Sequence, residues 1–308
     1  MRAIVTGGTG FIGSHIVDML CGQGYSVGVI DISPPAKEWS APSGATVHLL
    51  DVASREAEDL IAAFAPEIVF HLAAKASVPA SVADPVEDAR TTLLGLLHVL
   101  EGARRGGSRK VVYSSSAAIY GDPQVAMPIE ESTPPAPLSP YGAAKAAGET
   151  YLEVYRLLHG LQYAALRYAN VYGPRQGLTG EGGVVAIFAD KYAREAPLTL
   201  FGDGQHTRDY IYVEDVARAN LLAAASEGSI RCHISTGVET SNAELIAALA
   251  EVAHVAVPVL REAERPGDIR RSVLSPQWAE YALGFRAQIA LADGLFRTYR
   301  WMKQRFSS

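Results

Sequence analysis

Three side chains near the middle of the chain have the types and the spacing needed to move a proton. Ser116 ends a run of three serines, and Tyr141 and Lys145 follow with a separation of four residues. Residues i and i+4 share one face of a helix, so Tyr141 and Lys145 would point the same way. A tyrosine with its ordinary pKa of about 10 is a poor base at neutral pH, but a neighbouring ammonium favours the phenolate and lowers that pKa. The pattern predicts a tyrosine that removes a proton from a hydroxyl group, with Ser116 hydrogen-bonded to the same oxygen.

The elements around these residues decide between catalysis and simple packing. A tyrosine and a lysine at this spacing also occur as a packing pair on amphipathic helices. Here the pair opens a predicted helix that runs to about His159, after a proline-rich loop from Pro123 to Pro140. The serines end a predicted strand, Lys110 to Ser114, and ligands of parallel sheets bind beyond the C-terminal ends of the strands. This placement favours a catalytic role.

The first residues of the chain have the pattern of a phosphate-binding turn. Ala3 to Val5 form an apolar run that predicts a buried strand, and Phe11 to Leu20 show the apolar spacing of a helix. Glycines in between allow a sharp turn and a close approach of phosphate oxygens, and the start of the helix offers N–H groups to an anion. The order of strand, turn and helix predicts a dinucleotide site. The glycines concerned are Gly7, Gly8, Gly10 and Gly13.

An aspartate after the second predicted strand selects among dinucleotides. The strand Ser26 to Ile30 ends at Asp31, which lies 18 residues beyond Gly13. Its carboxylate can accept hydrogen bonds from both ribose hydroxyls and would repel a 2′-phosphate, and no arginine stands next to it. NAD is therefore favoured over NADP, the alternative being an aspartate that only caps a turn. Asp51, after the third predicted strand, Ala45 to Leu50, could meet the amino group of adenine.

Strands and helices alternate along the first half of the chain. A predicted helix, Ser54 to Phe64, is followed by a strand, Ile68 to His71, a turn of small residues, Leu72 to Ala74, and a long helix, Asp84 to Arg104. This alternation is typical of a parallel sheet that is covered by helices on both faces. We predict an α/β fold with a Rossmann-type doubly wound parallel sheet and a second, smaller α/β substrate domain.

Composition excludes several classes of protein. With 308 residues, 48% of them hydrophobic, and a net charge of −6, the chain predicts a packed globular protein without a basic field for nucleic acid or an anionic membrane. Two cysteines, Cys21 and Cys232, cannot build a disulfide framework. We expect reduced thiols in a cytoplasmic protein, no signal peptide, no membrane span, and no metal site among the eight histidines.

Taken together, these motifs resemble the extended short-chain dehydrogenase/reductase family. Within it, the chain is most similar to the UDP-glucose 4-epimerases, and the resemblance covers nearly the whole length. The motifs near the N-terminus are typical of the superfamily. The three nearest the C-terminus, which begin at Arg167, Phe201 and Arg265, are typical of enzymes that act on nucleotide sugars. The segments that carry the resemblance are TGGTGFIG, Asp31, Asp51-Val52, HLAA at His71 to Ala74, SSSAAIYG, YGAAK, RYANVYGPRQ at Arg167 to Gln176, FGDGQHTRDYIYVEDVA at Phe201 to Ala217, and RPGD at Arg265 to Asp268.

The resemblance implies a reaction and a cofactor. It implies NAD-dependent inversion at C4 of a UDP-hexose through a transient 4-keto sugar, with NAD retained between cycles. Tyr141 would take the proton of the C4 hydroxyl, Ser116 would orient that hydroxyl, and Lys145 would hold the nicotinamide ribose. The cofactor residues that it implies are Gly7, Gly10, Phe11, Ile12, Gly13, Asp31, Asp51, Val52, Leu72, Ala73, Ala74, Lys75, Ser114, Tyr141, Lys145 and Tyr168.

The same resemblance implies a substrate site. Asn170 and two arginines would bind the diphosphate, since guanidinium groups suit phosphate oxygens, although Arg208 could instead form a surface pair with Asp209. Backbone and apolar side chains of Gly180 to Val185 and Thr199 to Phe201 would hold uracil, and Asp268 could position Arg265 or bind a ribose. The substrate residues implied are Lys75, Ser116, Ala117, Tyr141, Asn170, Gly183, Val184, Thr199, Leu200, Phe201, Gln205, Arg208, Arg265, Asp268 and Ser272.

Two positions bear on the type of reaction and on the substrate. Family members that eliminate water or decarboxylate carry an acid two residues after the catalytic serine, and Ala118 stands there instead. In the epimerases, a tyrosine at the position that Ser272 occupies here restricts the sugar pocket. The serine therefore predicts that N-acetylated UDP-hexosamines also fit.

Three alternative functions remain open at this point. They are another nucleotide-sugar epimerase acting on UDP-glucuronate or UDP-N-acetylglucosamine, a nucleotide-sugar 4-keto reductase, and a non-enzymatic NAD-sensing Rossmann protein.

Domains and assembly follow from the same comparison. We expect residues 1–170 plus about 208–240 to form the NAD-binding domain, and about 171–207 plus 241–308 to form the nucleotide-sugar domain. The family commonly dimerises through two helices, here Asp84 to Arg104 and Pro140 to His159, so a homodimer is expected. The second helix carries more apolar residues than one core-facing stripe needs, namely Tyr151, Leu152, Val154, Tyr155 and Leu158.

Overall fold

A computed structural model describes residues 1–123, 125–178, 183–264 and 268–307 of the chain. In this part the strands are β1 (Arg2–Thr6), β2 (Ser26–Asp31), β3 (Ala45–Leu49), β4 (Ile68–His71), β5 (Lys110–Ser116), β6 (Gln162–Tyr168), β7 (Asn170–Tyr172), β8 (Leu198–Phe201), β9 (Thr207–Tyr212), β10 (Ile230–Ile234), β11 (Glu239–Ser241), β12 (Val259–Glu262) and β13 (Arg271–Ser272). The helices are α1 (Phe11–Gly22), α2 (Arg55–Phe64), α3 (Val78–Ala83), α4 (Pro85–Ala89), α5 (Gly95–Arg105), α6 (Pro140–His159), α7 (Val184–Ala193), α8 (Val213–Ala225), α9 (Asn242–Ala253), α10 (Gln277–Leu283) and α11 (Leu291–Ser307).

A parallel sheet of seven of the described strands forms the larger part of the molecule. Its order is β10-β6-β5-β4-β1-β2-β3, and every neighbouring pair is parallel. Apolar side chains cover both faces: Ile16 and Leu20 of α1 pack on one side, and Ile61 and Leu100 of α2 and α5 on the other. The predicted Rossmann-type α/β fold is confirmed. From β1 the chain adds β2 and β3 on one side of the sheet and then β4, β5 and β6 on the other. A crevice therefore opens at the C-terminal ends of β1 and its neighbours, where the strand order reverses.

Local signals in the sequence fix the ends of the helix that carries Tyr141 and Lys145. Pro140 occupies the first turn of α6, where a missing N–H costs nothing. The Ser139 hydroxyl accepts a hydrogen bond from the Gly142 N–H at 3.1 Å, which satisfies one of the free donors of that turn. Gly160, in the left-handed region, ends the helix.

The long helix expected from Asp84 to Arg104 is not regular. It consists of α4 and α5 joined by a π-helical turn, Arg90–Leu94, and a short additional helix, α3, precedes it. Gly95 follows the turn and lies so close to Val52 that an added Cβ would meet the valine Cγ1 at 2.8 Å. The extra residue of the π-helical turn shifts the apolar spacing by one position at a single point, and the sequence prediction of one regular helix does not allow for this shift.

A second group of elements lies beyond the large sheet. Strands β7, β9, β11 and β13 form a small sheet and β8 pairs with β12, and α7, α9 and α11 supply an apolar core that includes Phe188, Leu245 and Met302. Ile211 and Cys232, by contrast, pack into the core of the large sheet. This packing supports the return of the chain to the large sheet after β9, whereas β9 itself belongs to the small sheet. The division at about residues 171, 208 and 241 remains our proposal. None of the helices in the described ranges is long and apolar enough to cross a bilayer.

Candidate active site

One large cavity lies at the C-terminal ends of the parallel strands. Its volume is about 1020 Å³, and it is lined by residues of both groups of elements. Most of the residues that the sequence predicted for cofactor and substrate meet on its wall. They are Gly7, Gly10, Phe11, Ile12, Gly13, Asp31, Asp51, Val52, Leu72, Ala73, Ala74, Lys75, Ser114, Ser116, Ala117, Tyr141, Lys145, Tyr168, Asn170, Gly183, Arg208, Asp268 and Ser272.

The glycine turn between β1 and α1 is closed so tightly that side chains would not fit. An added Cβ at Gly13 would lie 2.1 Å from the Gly7 carbonyl oxygen, and one at Gly7, whose φ is +68°, would lie 2.7 Å from the Ala73 nitrogen. No side chain caps the start of α1 at Gly10, so the N–H groups of its first turn are available to an anion on the cavity wall. This cradle fits the pyrophosphate of a dinucleotide.

Asp31 is held in place at the end of β2. Its Oδ2 accepts a hydrogen bond from the Thr9 N–H at 3.1 Å, and its Oδ1 accepts one from the Ser33 N–H at 3.2 Å. Each carboxylate oxygen can accept a further bond. An anchored carboxylate beside the glycine turn fits the two hydroxyls of an adenosine ribose.

His71 has a structural role under the same turn. The Thr6 hydroxyl lies 2.7 Å from His71 Nδ1 and accepts a hydrogen bond from the Ala73 N–H at 3.3 Å. The tautomer of His71 decides whether the hydroxyl or the imidazole supplies the proton of the bond between them. Burial, with the charge of Lys145 as a second cause, lowers the His71 pKa to about 3. The imidazole is therefore neutral and supports the backbone of the turn after β4.

The predicted catalytic residues meet on the cavity wall between β5 and α6. Lys145 is almost completely buried, and its Nζ donates a hydrogen bond to the Ser114 carbonyl oxygen at 2.6 Å. The same Nζ lies 5.8 Å from the centre of the Tyr141 ring and 4.8 Å from that of the Tyr113 ring. The ammonium is thus fixed beside the phenol, as the phenolate hypothesis requires.

Ser116 caps the 3₁₀ turn that follows β5, Ala117–Tyr120. Its Oγ accepts a hydrogen bond from the Ala118 N–H at 3.1 Å. A hydroxyl that accepts from the backbone keeps its own proton for donation. Ser116 can therefore donate a hydrogen bond to an oxygen in the cavity.

A buried ion pair fixes the helix under these residues. Glu149 lies one turn beyond Lys145 on α6, and its carboxylate accepts hydrogen bonds from Arg167 at 2.9 and 2.7 Å and from the Ser115 hydroxyl at 2.6 Å. Both charged side chains are only 6% exposed. Sequence reasoning gave Glu149 no role, although its i+4 spacing from Lys145 places it on the same face of α6.

The substrate half of the cavity contains Arg208. Burial lowers the pKa of this guanidinium, which donates a hydrogen bond to the Thr207 carbonyl at 2.7 Å. Asp209 instead accepts hydrogen bonds from the Thr236 N–H and hydroxyl and from the Gly237 N–H. The alternative of a surface pair between Arg208 and Asp209 is wrong, because consecutive residues of strand β9 point to opposite faces.

Some predicted substrate residues lie elsewhere. Leu200 is a correction: its side chain is 3% exposed and packs in the core of the second group of elements, because Leu198 and Leu200 share the inner face of β8. Only its backbone remains available to a ligand. Four further residues are absent from the cavity wall, and these are Val184, Thr199, Phe201 and Gln205. Arg265 and residues 180–182 lie outside the described residues.

The wall also contains residues that sequence reasoning did not select. Arg90 and Glu87 extend along it from the helix α4 and its π-helical turn. Gln176 is 5% exposed, and its Nε2 donates a hydrogen bond to the Val171 carbonyl at 3.2 Å. The RYANVYGPRQ segment contains Gln176, but no spacing marks it as a wall residue. In the described ranges, no group of three or more His, Cys, Asp or Glu side chains could hold a metal ion.

Comparisons with known proteins agree with this geometry. The profile of the NAD dependent epimerase/dehydratase family matches residues 3–234. The UDP-glucose 4-epimerase of Mycolicibacterium smegmatis is 42% identical over 99% of each chain. Among solved structures, UDP-glucose 4-epimerase of Thermotoga maritima with UDP-glucose superposes with a TM-score of 0.96, at 41% identity and over 99% of this chain and 100% of that chain.

A second solved structure, UDP-glucose 4-epimerase of Thermus thermophilus in complex with NAD, has a TM-score of 0.92 at 43% identity, over 98% of this chain and 99% of that chain. Both the sequence and the fold are shared over nearly the entire length. The chain therefore belongs to the NAD dependent epimerase/dehydratase family.

Proposed function

We propose that this protein is an NAD-dependent isomerase that interconverts the C4 epimers of a UDP-hexose, UDP-glucose and UDP-galactose. One observation carries the proposal: Tyr141, Lys145 and Ser116 lie on the wall of a single cavity, between a glycine cradle that fits a dinucleotide and Arg208, which suits a diphosphate. The relatives named above are UDP-glucose 4-epimerases, and their complexes contain UDP-glucose in one case and NAD in the other.

The chain's own residues supply the proton chemistry. Tyr141 takes the proton of the C4 hydroxyl on its phenolic oxygen and later returns it, and the Ser116 hydroxyl donates a hydrogen bond to the same sugar oxygen. The Lys145 ammonium, fixed by the Ser114 carbonyl, stabilises the phenolate and would hold the nicotinamide ribose. NAD, when bound, supplies a reversible acceptor for the hydrogen on C4. The proton transfer contributes about 10²–10⁴ in rate in enzymes of this kind.

Inversion requires that the sugar can present either face of C4 to the bound cofactor, which would accept and return the hydrogen, while the C4 oxygen stays within reach of Tyr141. The anchor must therefore lie away from the sugar, and Arg208 and Asn170 on the far wall are suited to bind the diphosphate. Guanidinium and amide groups donate to phosphate oxygens without contacting C4. The cavity extends from Tyr141 to Arg208 and Ser272, so the sugar would lie between the base and the diphosphate site.

The residue after Ala117 favours epimerisation over elimination. Ala118 lines the cavity two residues beyond Ser116 and has no group that can donate a proton. A dehydratase needs an acid to protonate its leaving hydroxyl. The alternatives that remain are an epimerase acting on UDP-glucuronate or UDP-N-acetylglucosamine, a 4-keto reductase and an NAD-sensing protein. The last two would release or exchange NAD.

We also propose that N-acetylated UDP-hexosamines are substrates. Ser272 lines the cavity on strand β13 and pairs with Arg208 of β9 in the sheet. A small side chain next to the proposed diphosphate site leaves space for a substituent on the sugar.

A homodimer is proposed from the exposed face of α6. The side chains of Val154, Leu157 and Leu158 are 39%, 66% and 69% exposed, which is more apolar surface than a solvated helix needs. Two residues expected on this face lie inward instead: Leu152 is 1% exposed, and the Tyr155 hydroxyl donates to Glu101 at 2.7 Å. The molar mass in solution, with Leu158→Glu as the disrupting variant, tests the proposal.

The function is tested with purified protein to which no cofactor is added. We expect UDP-galactose to be converted to UDP-glucose, and denaturation to release about one NAD per chain. Conversion that depends on added reduced cofactor would support the reductase, and absence of any conversion across a panel of UDP-sugars would support the sensor.

A further inference from the structure

Four side chains of alternating charge form a continuous chain along the cavity wall. Arg90 Nη1 lies 2.7 Å from Asp51 Oδ2, while its Nε and Nη2 donate to the two oxygens of Glu87 at 2.7 and 2.9 Å. Lys75 Nζ lies 3.4 Å from Glu87 Oε1. All four residues line the cavity.

The two ends of this chain lie far apart in the sheet. Asp51 follows β3 and Lys75 follows β4, and the strand order β4-β1-β2-β3 separates them by three strand spacings, roughly 14 Å. Strands β1 and β2 lie between them and carry the glycine turn and Asp31. The charged chain therefore runs alongside the part of the cavity that fits the adenosine half of a dinucleotide.

The carboxylate of Asp51 is fixed on both oxygens. Oδ1 accepts a hydrogen bond from the Ala53 N–H at 2.9 Å, and Oδ2 pairs with Arg90. An ionised carboxylate has only acceptor positions, so any further partner must be a donor. The exocyclic amino group of adenine is such a donor, whereas the 6-oxo group of hypoxanthine is an acceptor.

We propose that Arg90 is a positioning residue that orients Asp51 so that the cofactor site accepts a purine with a 6-amino group and discriminates against one with a 6-oxo group. This inference rests on the proposed function only through its cofactor site. Glu87 acts through Arg90, because its two oxygens hold the other edge of the guanidinium.

Arginine is the side chain that this role requires. Its planar group contacts Asp51 through Nη1 and Glu87 through Nε and Nη2 at once, whereas the single ammonium of a lysine cannot hold the same fixed plane. Arg90 is 39% exposed, and half-exposed ion pairs contribute little to stability. Variants at this position should therefore fold.

The test is an exchange experiment on the holoenzyme. The protein is incubated to equilibrium with equal concentrations of NAD and nicotinamide hypoxanthine dinucleotide, freed of unbound nucleotide, and denatured, and the two released dinucleotides are quantified. We expect wild-type protein to retain NAD in at least about tenfold excess, the size expected of a hydrogen bond to a charged group. Arg90→Met and Arg90→Lys should each reduce the ratio to less than about threefold.

Two further variants sharpen the result. Asp51→Asn should abolish the preference as well, since its amide can donate to the 6-oxo group. Arg194→Met is the matched control: it removes a half-exposed arginine that pairs with Asp190 on α7, away from the cavity, and should keep the wild-type ratio.

The possible failures are distinct. A wild-type ratio in Arg90→Met would overturn the inference, and so would equal loss of both dinucleotides with the ratio unchanged. Wild-type protein that retains neither dinucleotide would contradict the cofactor site and the proposed function together.

Discussion

The Nζ of Lys145 lies 2.6 Å from the carbonyl oxygen of Ser114, which joins the helix of the proposed base to the strand that ends in Ser116. The Lys145 side chain cannot extend into solvent, because it is almost completely buried. Its position beside Tyr141 is therefore set by the backbone of β5.

Replacing the proposed base should separate binding from catalysis. We expect Tyr141→Phe to lose about 10²–10⁴ in kcat, because the phenyl ring has no oxygen to take the C4 proton. Bound NAD and the affinity for UDP, measured by nucleotide release and calorimetry, should stay within about threefold of wild type. A variant that turns over at the wild-type rate would remove Tyr141 from this role.

Filling the space at Ser272 should change the substrate range. For Ser272→Tyr we expect kcat/KM with UDP-N-acetylgalactosamine to fall at least about tenfold, while the value for UDP-galactose stays within about threefold, since steric exclusion from a pocket discriminates by such factors. Ser272→Ala is the control and should leave both values unchanged. Equal effects of the tyrosine on both substrates would show that Ser272 does not face the sugar.

Breaking the buried pair under α6 should destabilise the fold. Glu149→Gln removes the ion-pair partner of the Arg167 guanidinium at 6% exposure, and the loss of one partner of a buried ion pair costs about 3–5 kcal/mol. Glu153→Gln is the control, because Glu153 is one-third exposed and pairs with Arg156 on the surface; it should cost less than about 1 kcal/mol. Urea unfolding of both variants measures the difference, and equal values would contradict the argument.

Buried histidines should make stability fall in mild acid. Burial lowers the pKa of His15 to about 4 and those of His71 and His233 to about 3, from an ordinary value of 6.5. In each case the unfolded chain binds the proton more readily, so the stabilisation is complete above pH 6.5 and is lost as the pH falls from there toward 3. We expect the free energy of unfolding to decrease from pH 7 to pH 5 in urea titrations. A flat profile over this range would show that these imidazoles are protonated in the folded protein.

The sequence predicted the cofactor half of the site better than the substrate half. Gly7, Gly13 and Asp31 belong to one strand–turn–helix segment and the strand after it, where spacing along the chain translates directly into position. Tyr141 and Lys145 share a helix face, so their juxtaposition follows from the helical period.

The remaining parts depend on contacts between distant segments. The inward position of Leu200 is decided by how β8 packs on the second core, and the pairing of Arg90 with Asp51 depends on a π-helical turn. The alternation of Leu198 and Leu200 indicates a shared face but not what that face packs against, and the pairing of Arg90 with Asp51 leaves no periodic signal in the sequence. The family resemblance points to Ser272 as the residue that limits the sugar pocket, and its position on the cavity wall follows from the pairing of β13 with β9.

The edge position of β10 has a consequence for dividing the molecule. The chain leaves the large sheet after β6, builds part of the second group of elements, and comes back with β10 to cover the outer edge of β6. A fragment that stopped at Ala225 would leave that edge with unpaired N–H and C=O groups, ready to pair with another molecule. Such a fragment, cut before β10, should therefore aggregate rather than fold.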